Sequence, residues 1–300
     1  TTDVTLENVA ITGNTIRNAV VGGIGVNMGI GDPAATINGL IRNVVINGNT
    51  IEGGGAGISL VALNAGPNTG SRFENVNVVG NAISQGGGDG ILVNVGGDGN
   101  GSDMLGLNIN ENVIDDPGGA GIDIIVLYLG GGAGIAEIRG LEVNGNQIVE
   151  AGTAIRCTAG SSTAVVESAS FNDNIIRNPT GIGVNILNAL TGTYQGCQIS
   201  RNQIYTPGAS GIILAVADGD MFNFQINENI IESPGTVGGG ASQGLGISLL
   251  AGNGQTNDWQ VNDNVIQEPG TIGIALGGFE LVVQATATVN FGTPGGATVG

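Results

Sequence analysis

Seven arginines are the only basic side chains in this sequence, which has no lysine and no histidine. Histidine is the usual general base near neutral pH, so any proton transfer here must rest on arginine or on carboxylates. The arginines are Arg17, Arg42, Arg72, Arg139, Arg156, Arg177 and Arg201. Arg156, considered with Asp123, offers one basic group beside one carboxylate for such a step. Paired carboxylates are the second possibility: Glu228 and Asp263 each stand just before an Asn-x-Ile triplet. Close carboxylates are the machinery of glycoside hydrolysis. A third chemistry is metal binding. GGDGNGSDM places Asp98, Asn100, Ser102 and Asp103 as spaced oxygen ligands among glycines, which suits Ca2+, although the distal bidentate Glu of an EF-hand is missing. The competing reading is a polar glycine-rich turn. Asp218 and Asp220 in ADGDM form a weaker second candidate, and Asn100-Gly-Ser102 is a glycosylation sequon.

What positions these residues is a repeat. An apolar residue, two variable residues, Asn, one more residue and Ile recur from ITGNTI (11–16) and INGNTI (46–51) to VNDNVI (261–266). The asparagines are Asn14, Asn49, Asn81, Asn112, Asn146, Asn174, Asn202, Asn229 and Asn264. About ten residues later comes Gly-Ile-x-apolar, as in GISL (57–60), GIDI (121–124) and GIGV (181–184), with AIRC (154–157) as its variant. Prolines such as Pro117 and Pro207 fall between the halves and mark a turn. Apolar residues alternate at period two over only a few positions, and no 3.6-residue period is sustained, so the unit is strand–turn–strand without helices. Parallel strands recurring without crossover helices fit a solenoid whose coils stack at roughly 4.8 Å. The expectation is an all-β chain, with a single right-handed parallel β-helix of about nine coils over residues 1–278 and a C-terminal strand and tail over 279–300.

In that arrangement the asparagines stack at a bend, where Asn tolerates left-handed backbone, and the glycine of the second half serves the other corner in the same way. Their role is structural. Asp123, Arg156 and Gly183 share a column, so Asp123 and Arg156 face each other across one rung, as a surface ion pair or, alternatively, as the heart of a lyase site. Glu228 and Asp263 fall on adjacent rungs, at a bend position that is Gly in other coils, which favours a solvated turn. Cys157 and Cys197 fall in inward columns as free thiols, and Tyr205 faces outward in the column of Arg17 and Arg177.

The short strands, Asn ladder and Gly-Ile-x-Val motif resemble the right-handed parallel β-helix repeat of pectate-lyase-like proteins, from about Val4 to Leu276. The resemblance implies the fold. It leaves function open among polysaccharide lyases, glycosidases, tailspikes, adhesins and non-catalytic structural proteins.

Composition narrows the partners. Net charge is −18 over 300 residues, which argues against nucleic acid and anionic lipid. No apolar run is long enough for a membrane helix. A chain starting at Thr1 fits a mature, secreted product, extracellular or at a cell surface. At the ends, Val4 and Leu6 alternate in a first coil with no covering helix. Phe279, Leu281, Val283, Val289 and Phe291 alternate in a final extended segment that either caps the rod or pairs with another subunit. The leading expectation is a non-catalytic extracellular rod that self-associates head to tail and requires no cofactor. The alternatives are a carbohydrate-active enzyme, Ca2+-dependent in one version, and a glycan-binding adhesin or tailspike-like module acting on polysaccharide.

Overall fold

The computed structural model describes residues 2–28, 37–64, 70–97, 101–128, 134–161, 163–235, 244–253, 255–277 and 283–290. They form a right-handed parallel β-solenoid without helix. Each coil crosses a first sheet in short strands and then a second sheet in one strand. All pairings are parallel and join a coil to the next, as when Thr2–Thr12 pairs with Ile37–Asn47 and Ile155–Ala159 with Val184–Asn188. The second sheet holds nine strands; less the two at its edges, seven coils have neighbours on both sides. The expected nine is thus the number of rungs, with about seven enclosed coils.

Every apolar column of the repeat becomes a stack in the core. Ile58, Ile91, Ile122 and Ile155 succeed one another in the second sheet, all fully buried. Aromatic residues enter the same core: Phe224 lies 5.8 Å from Trp259 and 6.2 Å from Tyr194 between ring centroids. Cys157 and Cys197 are buried free thiols, as expected. Burial pushes the Cys157 thiol up to about 12, and Cys197 is raised further by burial and then by Cys157, so both remain protonated.

The bends differ from expectation. The ladder asparagines do not adopt left-handed backbone. That conformation falls on the residue before each one, such as Gly13, Glu111, Asp173 and Glu228. Two further left-handed columns lie five residues to either side, for example Asn223, Glu228 and Ser233, and among the described residues all nineteen non-glycine residues of positive φ belong to these three columns. Nor are the glycines of the second half left-handed. A Cβ on Gly23, Gly57, Gly90, Gly121, Gly183, Gly211 or Gly246 would lie 2.5–2.7 Å from the Cγ2 of the ladder isoleucine in the next coil. These glycines permit close packing of coil on coil and are not there to turn the chain.

The asparagine side chain instead bonds along the axis. The main-chain N–H and the Nδ2 of Asn112 both donate to Asn146 Oδ1 at 3.0 Å, and Asn146 Nδ2 donates to the Ile109 carbonyl at 2.8 Å. The pattern runs unbroken from Asn14 to Asn264. A second amide series, which the repeat motif did not single out, lies two residues upstream. Asn110, Asn144 and Asn172 each accept a main-chain N–H of the following coil through Oδ1 at 2.9 Å. Its sequence signal was the Asn two positions before the ladder Asn.

Two outcomes follow. Asn146→Leu strands the buried N–H groups of Asn112 and lowers unfolding free energy by about 2–3 kcal/mol, measurable by urea titration. Glu111→Gly, at φ 57°, relieves left-handed strain and raises stability by roughly 0.5–1 kcal/mol in the same assay.

Candidate functional site

The strongest cluster of charge chemistry lies on the outer face of the second sheet. Ile122–Tyr128 and Ile155–Ala159 run parallel, with Asp123 opposite Arg156. Alternation turns Ile122, Ile124, Ile155 and Cys157 inward and so turns Asp123 and Arg156 outward. The pair forms as the repeat alignment implied, bidentate, with Arg156 Nε donating to Asp123 Oδ1 at 2.8 Å and Nη2 to Oδ2. It is not a surface pair on both sides: the Asp123 side chain is 1% exposed and that of Arg156 is 42% exposed. The next residue in the column is Asn185 and not Gly183, because Ile155 pairs with Val184. In that coil the working repeat is Gly183-Val184, two residues later than GIGV suggested.

Asp89 joins this pair. It sits half-buried in the turn before the strand Ile91–Gly97, and its Oδ1 accepts the Ala120 N–H at 2.7 Å. Burial raises its pKa above the usual carboxylate value; the Ala120 bond opposes that, Asp123 adds to it and Arg156 lowers it. Arg156 is itself raised, first by its hydrogen bond to Asp123. Two carboxylates thus hold one guanidinium in its charged form, which makes Arg156 a poor proton acceptor. Asp89 was missed because the pairing is set by the turn and not by the strand columns.

The other candidates separate. Ser102 and Asp103 lie in the strand Gly101–Asn110, so their side chains leave opposite faces. Ser102 is buried with Oγ donating to the Gly96 carbonyl at 2.9 Å. Asp103 faces out, raised by burial and lowered by Arg72 and Arg139. These two therefore cannot ligate one ion as a Ca2+ loop would require, while Asp98 and Asn100 fall outside the described residues. Asp218 Oδ1 accepts from Asn253 Nδ2, and Asp220 Oδ1 accepts from the Gln255 N–H, so they serve two different contacts. Among the described residues no group of three His, Cys, Asp or Glu side chains is placed to hold a metal. Asp173 is held bidentately by Arg201 at 2.8 Å, and Glu228 and Asp263 occupy left-handed bends. Tyr205 faces out beside Arg177, whose guanidinium lies 5.5 Å from the ring centroid, and its hydroxyl donates to Gln203 Oε1. The ring's face is covered by its own neighbour, as a cation–π contact.

No protein-family model, curated protein or solved structure matches this chain.

Two measurements bear on the cluster. Arg156→Ala leaves the Asp123 carboxylate buried and unpaired and lowers stability by about 2 kcal/mol; the Asp123→Ala/Arg156→Ala double variant loses less than the two single losses summed. Asp89 has a folded pKa above the ordinary aspartate value of 3.8, so its charge opposes folding at neutral pH, and that penalty fades as pH falls through the folded pKa towards 3.8. Asp89→Asn, which retains an acceptor for the Ala120 N–H, therefore gains stability relative to wild type at pH 7, and the gain shrinks at pH 3 in urea titrations.

Proposed function

We propose that this chain is a non-catalytic structural rod that associates end to end with further copies of itself. The observation that carries the reading is that, among the described residues, apolar core columns finish in exposed side chains at both ends. Leu6 heads the inward column that continues through Ile41, Phe73 and Met104. Leu6 is 48% exposed, whereas Phe73 and Met104 are 0% exposed. Val4 heads the neighbouring inward column at 53%. At the far end, Leu276 closes the column of Leu214 and Leu249 and is 53% exposed, against 0% for both of them. A solenoid end exposes apolar core and unpaired strand edges, and covering them releases water from that surface. A copy placed on the axis meets the second end with the first, a heterologous contact that does not close and so grows a filament.

An extracellular or cell-surface setting is part of this proposal, supported by the acidic, lysine-free composition. The finer likeness to the pectate-lyase-like superfamily belongs here too, and it bears on the coil pattern alone. A lyase reading is not favoured, because Asp123 and Asp89 keep Arg156 protonated. A glycan-binding module would need an open aromatic platform, and the Tyr205 ring is covered by Arg177.

Sedimentation and negative-stain electron microscopy over a concentration series test the reading. The expected result is rods that lengthen with concentration. Leu6→Lys or Leu276→Lys shortens them with little change in Tm, since both sites are exposed in the single chain. A protein that stays monomeric at the highest concentration overturns the proposal.

A further inference from the structure

The joint between copies can be assigned to particular strands. We infer that the edge of Val283–Asn290 that is unpaired among the described residues pairs, parallel and in register, with Val9–Thr12 of the strand Thr2–Thr12 and with Thr15–Arg17 of the next copy. This rests on the self-association reading and specifies its contact.

The strand Val283–Asn290 lies beyond the last full repeat yet keeps to its columns. It pairs in parallel with Trp259–Gln267, with Gln260 opposite Gln284 and Asn262 opposite Thr286. That pairing uses one of its edges. At the other end, Thr2–Thr12 pairs only with Ile37–Asn47, and Thr15–Arg17 only with Thr50–Glu52, among the described residues. Both free edges belong to the first sheet and run in the same direction. A second copy displaced along the axis therefore presents the matching edge without reversal, and the joint repeats the first-sheet half of the coil-to-coil contact. The second sheet has nine strands against ten positions in the first, so Ile272–Gly277 and the next copy's Gly22–Met28 come two steps apart.

The register is fixed by the columns. One outward column starts at Ala10 and reaches Gln284 through Asn108 and Gln198, ten positions in all. Continuing it puts Gln284 of one copy opposite Ala10 of the next, and Thr286 opposite Thr12. The same register puts the positions of Ala285 and Val289 opposite Ile11 and Ile16, which are only partly buried in the single chain.

Asn14 supplies an independent sign that a strand belongs before it. Each later ladder asparagine accepts two hydrogen bonds at Oδ1 from the coil before it, as Asn49 does from Asn14. Asn14 is exposed, and its Oδ1 accepts none from the described residues. In the interior, Nδ2 also donates to a carbonyl of the preceding coil, as Asn264 does to Ile226 at 2.7 Å. Ile226 pairs with Val261, and Val261 with Ala285, so the equivalent acceptor for Asn14 is the Ala285 carbonyl of the neighbouring copy. The joint interrupts the side-chain ladder itself, because Ala287 is the one residue facing Asp263 and Asn264 where the register shifts. It is therefore a seam, carried by main-chain pairing and by the half-covered core.

Paired cysteines test this. In one chain positions 10 and 284 are nine steps apart, about 43 Å at ~4.8 Å per step, whereas a disulfide needs Cα atoms within about 7 Å. Any bond between them is therefore intermolecular. Cys157 and Cys197 are buried, protonated thiols and do not compete. Mild oxidation of assembled Ala10→Cys/Gln284→Cys, or of Thr12→Cys/Thr286→Cys, is expected to give a ladder of disulfide-linked multimers that no single variant gives. The out-of-register pair Ala10→Cys/Thr286→Cys is expected to give much less. Filaments that form without cross-linking of either in-register pair, or with preferential linking of the out-of-register pair, overturn this joint and leave self-association standing. Absence of assembly in the wild-type chain overturns both.

Discussion

The hydrogen bond from one coil's main chain to the next coil's asparagine amide is the interaction on which the other contacts depend. At the Asn bend the main-chain pairing continues on either side, as Gly48 N–H donates to the Val79 carbonyl and Thr50 N–H to the Asn14 carbonyl. The ladder residue's own N–H, however, turns to a side-chain amide and not to a strand partner. Burying such a group unpaired costs about 1–3 kcal/mol. Asparagine meets this need because its amide accepts and donates at once. Asn146 Oδ1 takes two bonds from Asn112 while its Nδ2 reaches the Ile109 carbonyl, with no exposure to water. The amide also fixes register. A coil that slipped by one residue would lose these bonds and turn each inward isoleucine outward.

Once register is fixed, the rest of the coil is constrained by steric fit. Three left-handed positions, five residues apart, fold the first sheet into short facets. Where the sequence supplies Gly the bend is unstrained; where it supplies Glu111, Arg201 or Asp263, the fold holds an unfavourable backbone in place. The glycine at or beside the start of seven second-sheet strands brings the coils close enough for the next ladder isoleucine to fill the space a Cβ would take. Small β-branched side chains then stack on copies of themselves, which gives a dense core with few aromatic rings.

A stack built by one repeated contact has ends made of half of that contact. Leu6 and Leu276 belong to columns that are dry elsewhere, and they are exposed where those columns finish among the described residues. The outward charges follow the same geometry. Arg42 meets Glu7, Arg156 meets Asp123, and Arg201 meets Asp173 across single rungs, so guanidinium groups are neutralised locally within an acidic rod. Electrostatics here ties rung to rung more than it builds a reactive centre.

The sequence by itself determined the solenoid, the inward columns, the Asn ladder and the Asp123–Arg156 pair. Each is a consequence of period and spacing, which survive in the linear order of residues. The roles of individual residues at the bends were decided only in the folded chain. Asparagine tolerates left-handed backbone, but here the residue before it takes that strain and frees the amide to bond along the axis. Glycine has the same tolerance, yet Gly57 and Gly121 are needed for closeness to Ile83 and Ile148, 26 and 27 residues away in sequence. The two-residue displacement at Gly183-Val184, the approach of Asp89 to Asp123, and the opposite faces of Ser102 and Asp103 were likewise settled by three-dimensional packing. Local preference states which conformations a residue can adopt, and only contact with the neighbouring coil selects among them.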